Sequence, residues 1–393
     1  MFEWFTERFS LGEIAGSVGD LATLLPITLS MAKKGLVNIG TTFMWGGIFN
    51  IIGGIYWDMP IPVQPMKTIG SIAVSGGLTT PGSVSIAGMF TGLVVGVLGY
   101  FKIIEKVAML TPGFLIGIIQ VGTGLKFSIN GITQIKNLKD WVGFDSYLMA
   151  IISALIVCFN FSNTKYSKYF PSALILFVLG LILSGMQTTL GIYSIFNPFR
   201  VTSFTSSDWE QGIVKGAIPQ IPLTILNSVI GVVDLSRTLY GVEKGLTTRE
   251  ASLSLGGINL LGCAFGGMPS CHGAGGLSGQ HKFGGRTGLT SVIIGVLKVI
   301  ISIFFGNILV DLLGNFPTSI LSVMLAICGS ELCMQGLKRV KSHHNIFVLG
   351  LTVAIVCELW IGFLAGVILY LMRFDEEEEV KVEEKCIEIQ TCC

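Results

Sequence analysis

Apolar stretches of the roughly 20 residues needed to cross a hydrocarbon layer, or somewhat shorter, recur from end to end of this chain. In the first half they fall at 11–32, 38–57, 60–76, 83–101, 107–125, 146–161 and 169–189. In the second they fall at 212–234, 249–266, 268–281, 287–305, 307–334 (one short and one full segment), 343–357 and 358–373. The pattern predicts an all-α polytopic membrane protein of about fourteen transmembrane elements, several of them short. A Ser/Thr-rich stretch with Pro198, residues 197–211, separates a first unit, 1–196, from a second, 212–374. Residues 375–393 are acidic and predict a solvated, disordered cytoplasmic tail. Landmarks repeat between the units: Pro65 with Pro269, and Pro112 and Gly124 with Pro317 and Gly329, at offsets of 204 and 205 residues. An odd number of elements per unit forces opposite topologies, so the expected plan is a 7+7 inverted repeat.

Composition supports lipid as the solvent. Hydrophobic residues make up 51% of the 393 positions and charged residues 12%, about half the charge of a soluble domain. The 51 glycines suit helices packed backbone to backbone in lipid. A net charge of +1 gives no reason to expect a nucleic-acid partner. The nine Cys form no CxxC pair, so neither a disulfide framework nor a metal site is expected, and no cofactor is implied. Residues 1–10 lack the basic start of a signal peptide and read as an amphipathic lead-in. With the N-terminus inside, seven of the 25 Lys and Arg fall outside (Lys33, Lys34, Lys126, Lys136, Lys139, Arg200 and Lys215). Two, Lys67 and Lys298, lie within spans, and the remaining sixteen are cytoplasmic. That asymmetry places both termini in the cytoplasm. The expectation is a multi-pass integral protein, in the cell membrane if the source is prokaryotic.

Two segments break the helical pattern. Residues 59–67, Met-Pro-Ile-Pro-Val-Gln-Pro-Met-Lys, carry three prolines that forbid a regular helix. Residues 266–276, Gly-Gly-Met-Pro-Ser-Cys-His-Gly-Ala-Gly-Gly, are as irregular. Non-helical backbone at membrane depth survives only where protein buries it or a wet cavity lines it. Paired interrupted segments in the two halves of a membrane protein point to a transporter's central site. A helix opening at Pro65 would present free N–H groups at Met66, Lys67 and Thr68, a ready anion site. Gln64 adds side-chain donors, and Lys67 adds a charge that costs about 2.5–3.5 kcal/mol at the bilayer centre. In the second segment Pro269 opens the break, and Ser270, Cys271, His272 and Gly273 stand at the presumed helix start. His272 is either a donor or a packing residue, and the glycines serve either close ligand approach or helix crossing. Adjacent Cys and His rarely form a nucleophilic dyad, and no convergent acid–base pair is evident, so an enzyme is not expected.

Two helix starts of about +0.5 each and one ammonium sum to about +2, matching a tetrahedral dianion. Asp20, inside the first span, is either a proton or cation coupling site or the partner of Lys67. Gln220 and Asn227, in the equivalent eighth element, either bind substrate or tie helices together. The expected partners are an oxyanion and the bilayer, with a homodimer left open beside a monomer.

Residues 60–69, Pro-Ile-Pro-Val-Gln-Pro-Met-Lys-Thr-Ile, preceded by Phe49-Asn50-Ile51-Ile52-Gly53, resemble the first motif of the molybdate transporter family, relatives of the sulfate permeases. Residues 267–277, with Phe283-Gly284-Gly285-Arg286, resemble its second motif, and Gly19-Asp20-Leu21 and residues 219–224 also fit. Ser278 stands where an Ala is expected, and His281 replaces an aromatic residue. The resemblance implies molybdate uptake, a fold of core and gate domains, and substrate held between the interrupted segments. Sulfate permeases usually add a C-terminal STAS domain, and the short tail here favours the molybdate branch. A sulfate or tungstate permease and a non-transporting oxyanion sensor are the alternatives.

Overall fold

The computed structural model describes residues 2–159, 170–188, 197–199, 201–241, 245–306 and 309–372. The acidic tail, and with it Cys386, Cys392 and Cys393, lies outside the described residues, as do Lys165, Lys168, Arg200 and Lys244.

The first half opens with α1 (Phe2–Arg8), α2 (Leu11–Ser17), α3 (Leu21–Lys33) and α4 (Ile39–Trp57). Then come β1 (Gln64–Pro65), α5 (Lys67–Val74), α6 (Pro81–Tyr100), α7 (Ile103–Met109), α8 (Gly113–Lys136), α9 (Tyr147–Cys158) and α10 (Ser172–Gln187). In the second half α11 (Ser206–Glu210), α12 (Ile218–Leu223) and α13 (Val232–Tyr240) run together through π-helical stretches at Gln211–Ala217 and Thr224–Gly231. They form one helix, Ser206–Tyr240, that begins inside the stretch read as a linker. After it follow α14 (Thr248–Ala264), β2 (Ser270–Cys271), α15 (Ala274–Lys282) and α16 (Gly288–Phe305). The chain ends with α17 (Leu309–Gly314), α18 (Thr318–Leu337), α19 (His344–Val356) and α20 (Leu359–Leu371).

Among the described residues six helices are long and apolar enough to cross a membrane, and four shorter ones are apolar. The protein is a multi-pass membrane protein. Helix boundaries follow local chemistry. Thr80 caps α6 in a reciprocal capping box with Ser83, and Pro81 occupies the first turn. Pro112 and Pro317 stand at the N-caps of α8 and α18. The span expected at 107–125 therefore begins only after Pro112, and the residues before it form the separate short helix α7. Residues 307–334 divide as expected, into α17 and α18.

Helix pairing organises the molecule into two groups. In one, α4 packs on α16 and α6 on α14, around the α2–α3, α5, α11–α13 and α15 segments. In the other, α8 packs on α18, flanked by α9, α10, α19 and α20. Most pairings have a counterpart in which each element is replaced by its equivalent from the other half. Thus α4–α16 answers α6–α14, α3–α5 answers α13–α15, α3–α18 answers the second π-helical stretch on α8, and α9–α18 answers α8–α19. The α15–α18 pairing has no such counterpart. Helix α15 packs against α18, whereas its equivalents α5 and α8 face each other across a cavity.

Close approach depends on missing side chains at Gly54 and Gly288. A Cβ at Gly288 would overlap the Gly54 carbonyl, and one at Gly54 would lie 2.5 Å from the Gly288 oxygen. Backbone-to-backbone packing of this kind drives helix association where lipid removes the hydrophobic incentive. Gly288→Leu is expected to force α4 and α16 apart and to abolish a monodisperse peak in detergent size-exclusion chromatography. Gly185→Ala, where a Cβ meets nothing within 4 Å, should elute unchanged.

Candidate functional site

The interrupted segments meet at the centre of the first helix group. They pair as a two-residue antiparallel ladder, Gln64 opposite Cys271 and Pro65 opposite Ser270. The Met66 N–H donates to the Pro269 carbonyl at 2.8 Å. Each segment is further held by an asparagine eleven residues upstream. Asn50 donates to the Ile61 carbonyl at 3.1 Å, and Asn259 donates to the Ser270 carbonyl at 2.7 Å. Asn259 also accepts from the Ser270 N–H at 2.8 Å. Buried backbone groups in lipid must find such partners.

The helices begin later than the prolines suggested. Helix α5 starts at Lys67 with Met66 as N-cap, and α15 starts at Ala274 with Gly273 as N-cap. Pro65 and Pro269 lie in the extended stretches before them. Nor are the first N–H groups free as expected. Met66 is taken by the strand crossing, and the N–H groups of Thr68 and Ile69 donate to Gln220 Oε1 at 3.0 and 3.3 Å. Gln220 Nε2 is fixed in turn by Thr224 Oγ1 at 2.9 Å. At the other start, the Gln64 carboxamide, oriented to satisfy its neighbours, accepts from the Gly273 N–H at 3.1 Å. It donates to Thr23 Oγ1 at 2.6 Å and to Asp20 Oδ1 at 3.0 Å. The helix dipoles remain, but each start is met by a neutral amide oxygen.

Asp20 sits at the break between α2 and α3, 4% exposed, and accepts a hydrogen bond from the Thr23 hydroxyl. Gly276 makes room for it: a Cβ there would collide with the carboxylate and lie 2.9 Å from the Gln64 carboxamide. Asp20 thus faces the opening turn of α15, where the dipole favours negative charge.

Lys67 extends in the other direction, into a cavity of about 520 Å³ between the two helix groups. Thr23, Thr68 and Ser71 line one wall, and Thr123, Phe127 and Asn130 of α8 line the other. Its Nζ is buried without a hydrogen-bond partner and stands 3.8 Å from the centre of the Phe127 ring. A desolvated cation over a ring face gains about 2 kcal/mol, which leaves its hydrogen-bonding capacity unused. No ion pair forms between Lys67 and Asp20, although each lies within the other's electrostatic reach. The cavity reaches the surface where Lys126 and Glu358 pair at 3.5 Å. On the opposite side α15 and α18 are joined by Lys282 and Glu331 at 3.0 Å, and Arg339 pairs with Asp234 at 2.8 Å.

Of the residues singled out from the sequence, Gln64, Pro65, Met66, Lys67, Thr68, Pro269, Ser270, Cys271, Gly273, Gln220 and Asp20 converge on this crossing. Only Lys67 and Thr68 among them line the large cavity. His272 turns away. Its Nδ1 is 2.9 Å from the Pro62 carbonyl, its Nε2 is 3.0 Å from Ser254 Oγ, and its ring stands edge-on to Trp57. Asn227 lies in the second π-helical stretch with Oδ1 buried and unpartnered. Thr23, Phe127 and Asn259 were not anticipated. Asn259 was legible, since it repeats the eleven-residue spacing of Asn50; Phe127 was not, because nothing in sequence marks an aromatic residue that faces a cavity.

Comparison with known proteins identifies the architecture first. The fold is similar to the transmembrane domain of a cyanobacterium bicarbonate transporter, BicA, with a TM-score of 0.59 at 17% identity over 91% of this chain and 97% of that one. It is also similar to SLC26A9, with a TM-score of 0.63 at 16% identity over 92% of this chain and 64% of that one. The protein therefore has the fold of these anion carriers. The profile of the family described as "Molybdate transporter of MFS superfamily" matches residues 12–127 and 212–332, one stretch in each half. Molybdate transporter 2 of Arabidopsis thaliana is 34% identical over 94% of this chain and 89% of its own length. Molybdate transporter 1 of the same plant is 33% identical over 93% and 88%. The chain belongs to this molybdate transporter family, and it is a transporter rather than an enzyme.

Gln64→Ala would leave the Gly273 N–H without its acceptor, at about 1–3 kcal/mol for a buried unsatisfied group, and would take one of its donors from Asp20. The apparent melting temperature in detergent should fall by several degrees. Gln64→Glu, which sets a second carboxylate beside Asp20, should lower it further.

Proposed function

We propose that this protein is a secondary active transporter of molybdate, binding the tetrahedral dianion beside the crossed segments and passing it between two alternating openings. The observation that carries this reading is the Lys67 ammonium, buried at the cavity wall with no hydrogen-bond acceptor. Such a group at membrane depth is costly unless a function retains it, and an oxyanion supplies the missing acceptors as charge-assisted bonds. Thr68 and Thr23 add hydroxyl donors at the same wall.

The charge inventory near the crossing suits a dianion. Lys67 and Lys298 contribute +2 and Asp20 −1, and two helix starts add about +1, for a sum of about +2. Lys298 thus offsets the charge that Asp20 brings. The backbone amides help through their dipoles, with Gln220 and Gln64 holding the first N–H groups in place. Asp20 is the coupling candidate: Thr23 contacts it and also lines the cavity, so a proton or cation arriving there senses an occupied site.

The transport cycle follows from the unequal pair. The α5–α8 side is parted and the α15–α18 side is packed. Exchange of these two arrangements would move the opening from one face to the other. With the N-terminus in the cytoplasm, the Lys126 mouth faces outward. Fourteen elements in two inverted halves, 1–196 and 212–374, account for the interchangeable pairings.

Proteoliposomes containing the protein should accumulate labelled molybdate, with tungstate a strong competitor and sulfate a weaker one. Lys67→Met should reduce uptake at least tenfold while retaining a normal elution profile. Binding without accumulation would indicate a sensor, and equal or better uptake of sulfate would indicate a sulfate permease.

A further inference from the structure

Lys298 is the second ammonium at membrane depth, and the site described above does not use its hydrogen bonds. It projects from α16, is 3% exposed, and donates to Asn50 Oδ1 at 2.9 Å and to the Val63 carbonyl at 3.2 Å. Both acceptors are neutral, and among the described residues no carboxylate lies within ion-pair distance of it. It borders a small cavity of about 10 Å³ with Val63, Pro65 and Ser270, directly behind the strand crossing. Asp20 is the acid within its electrostatic reach.

A structural role alone does not explain the charge. The second half solves the same problem without one. Asn259 braces its extended segment as Asn50 braces the first, and its Oδ1 accepts from the neutral Ser270 N–H. In the first half the equivalent oxygen accepts from an ammonium instead. A neutral donor of similar length could brace Asn50 and Val63, and it would avoid the cost of a charge in hydrocarbon.

We propose that Lys298 is a specificity-determining residue that sets the charge of the accepted anion: its ammonium, fixed behind the strand crossing, balances Asp20 and so leaves the site selective for a dianion over a monoanion of the same shape. Lys298 does not touch the guest. It acts through the field across the two extended segments, in surroundings where water does not screen it. The inference rests on the reading of the cavity as an oxyanion site.

Perrhenate tests it, because it matches the tetrahedral shape and nearly the size of molybdate and tungstate but carries one negative charge. The measurement is the ratio of perrhenate to molybdate inhibition constants for labelled molybdate uptake into proteoliposomes. Wild type is expected to favour molybdate. Lys298→Met should move the ratio toward perrhenate by about tenfold, or about 1.4 kcal/mol. Lys298→Gln keeps a hydrogen-bond donor toward Asn50 and removes only the charge. It should give the same shift, and it stands in if the methionine variant does not fold. Asn50→Asp, which cancels the charge from the neighbouring side chain, should shift the ratio in the same direction. Lys106→Gln, exposed on α7 and away from the cavity, should leave it unchanged.

Equal weakening of both anions, with an unaltered ratio, would make Lys298 a strut and overturn the proposal. A wild-type protein indifferent between the two anions would overturn it as well. A wild-type protein that takes up neither would instead defeat the functional reading, before any variant is compared.

Discussion

The structure depends on one requirement: main chain that is not helical, placed at membrane depth, must find all its hydrogen-bond partners within the protein. The segments at 59–66 and 266–273 meet it jointly. They pair with each other through Gln64, Pro65, Ser270 and Cys271, and asparagines from α4 and α14 take up carbonyls that the ladder leaves. Once the crossing is fixed, the rest is placed by it. Helices α5 and α15 must start on either side, their positive ends must face the same region, and Asp20 and Lys67 must lie near both.

In the proposed cycle, a fixed crossing beside a moving α5–α8 interface would separate two tasks. The proposed recognition groups sit on the first helix group, where Gln64, Asp20 and Thr23 hold one another. The opposite wall comes from α8, whose Phe127 ring faces the Lys67 ammonium across the cavity. An anion bound there as proposed would replace a cation–ring contact with stronger charge-assisted bonds. The contact that holds Lys67 in this structure would therefore lie on the surface that the proposed cycle moves.

Much of this was legible in the sequence. Hydropathy located nearly every helix, since twenty apolar residues have few other uses. Proline and glycine marked both breaks. What the sequence could not give was the pairing of the two breaks with each other, a contact across some 200 residues. Without it, Pro65 and Pro269 appeared to open helices directly, and the N–H groups of Met66 and Thr68 appeared free. Pairing moved both helix starts downstream, and Gln220 reached across to take the exposed amides. His272 stood open between a donor and a packing residue, and its ring is placed against the Pro62 carbonyl and Ser254. Lys298 was visible as a charge within a span, but its significance needed the neutral counterpart at Asn259.

The ion pairs on the α8–α20 side and on the α15–α18 side are unequal. Lys126 and Glu358 meet near water, with the glutamate 64% exposed, whereas the Glu331 side chain beside Lys282 is only 10% exposed. Surface pairs are worth little, and separating a sequestered pair is expensive. In the cycle proposed above, the unloaded molecule would rest with the Lys126 vestibule unsealed, and the cargo would deliver the energy for prising apart the other side.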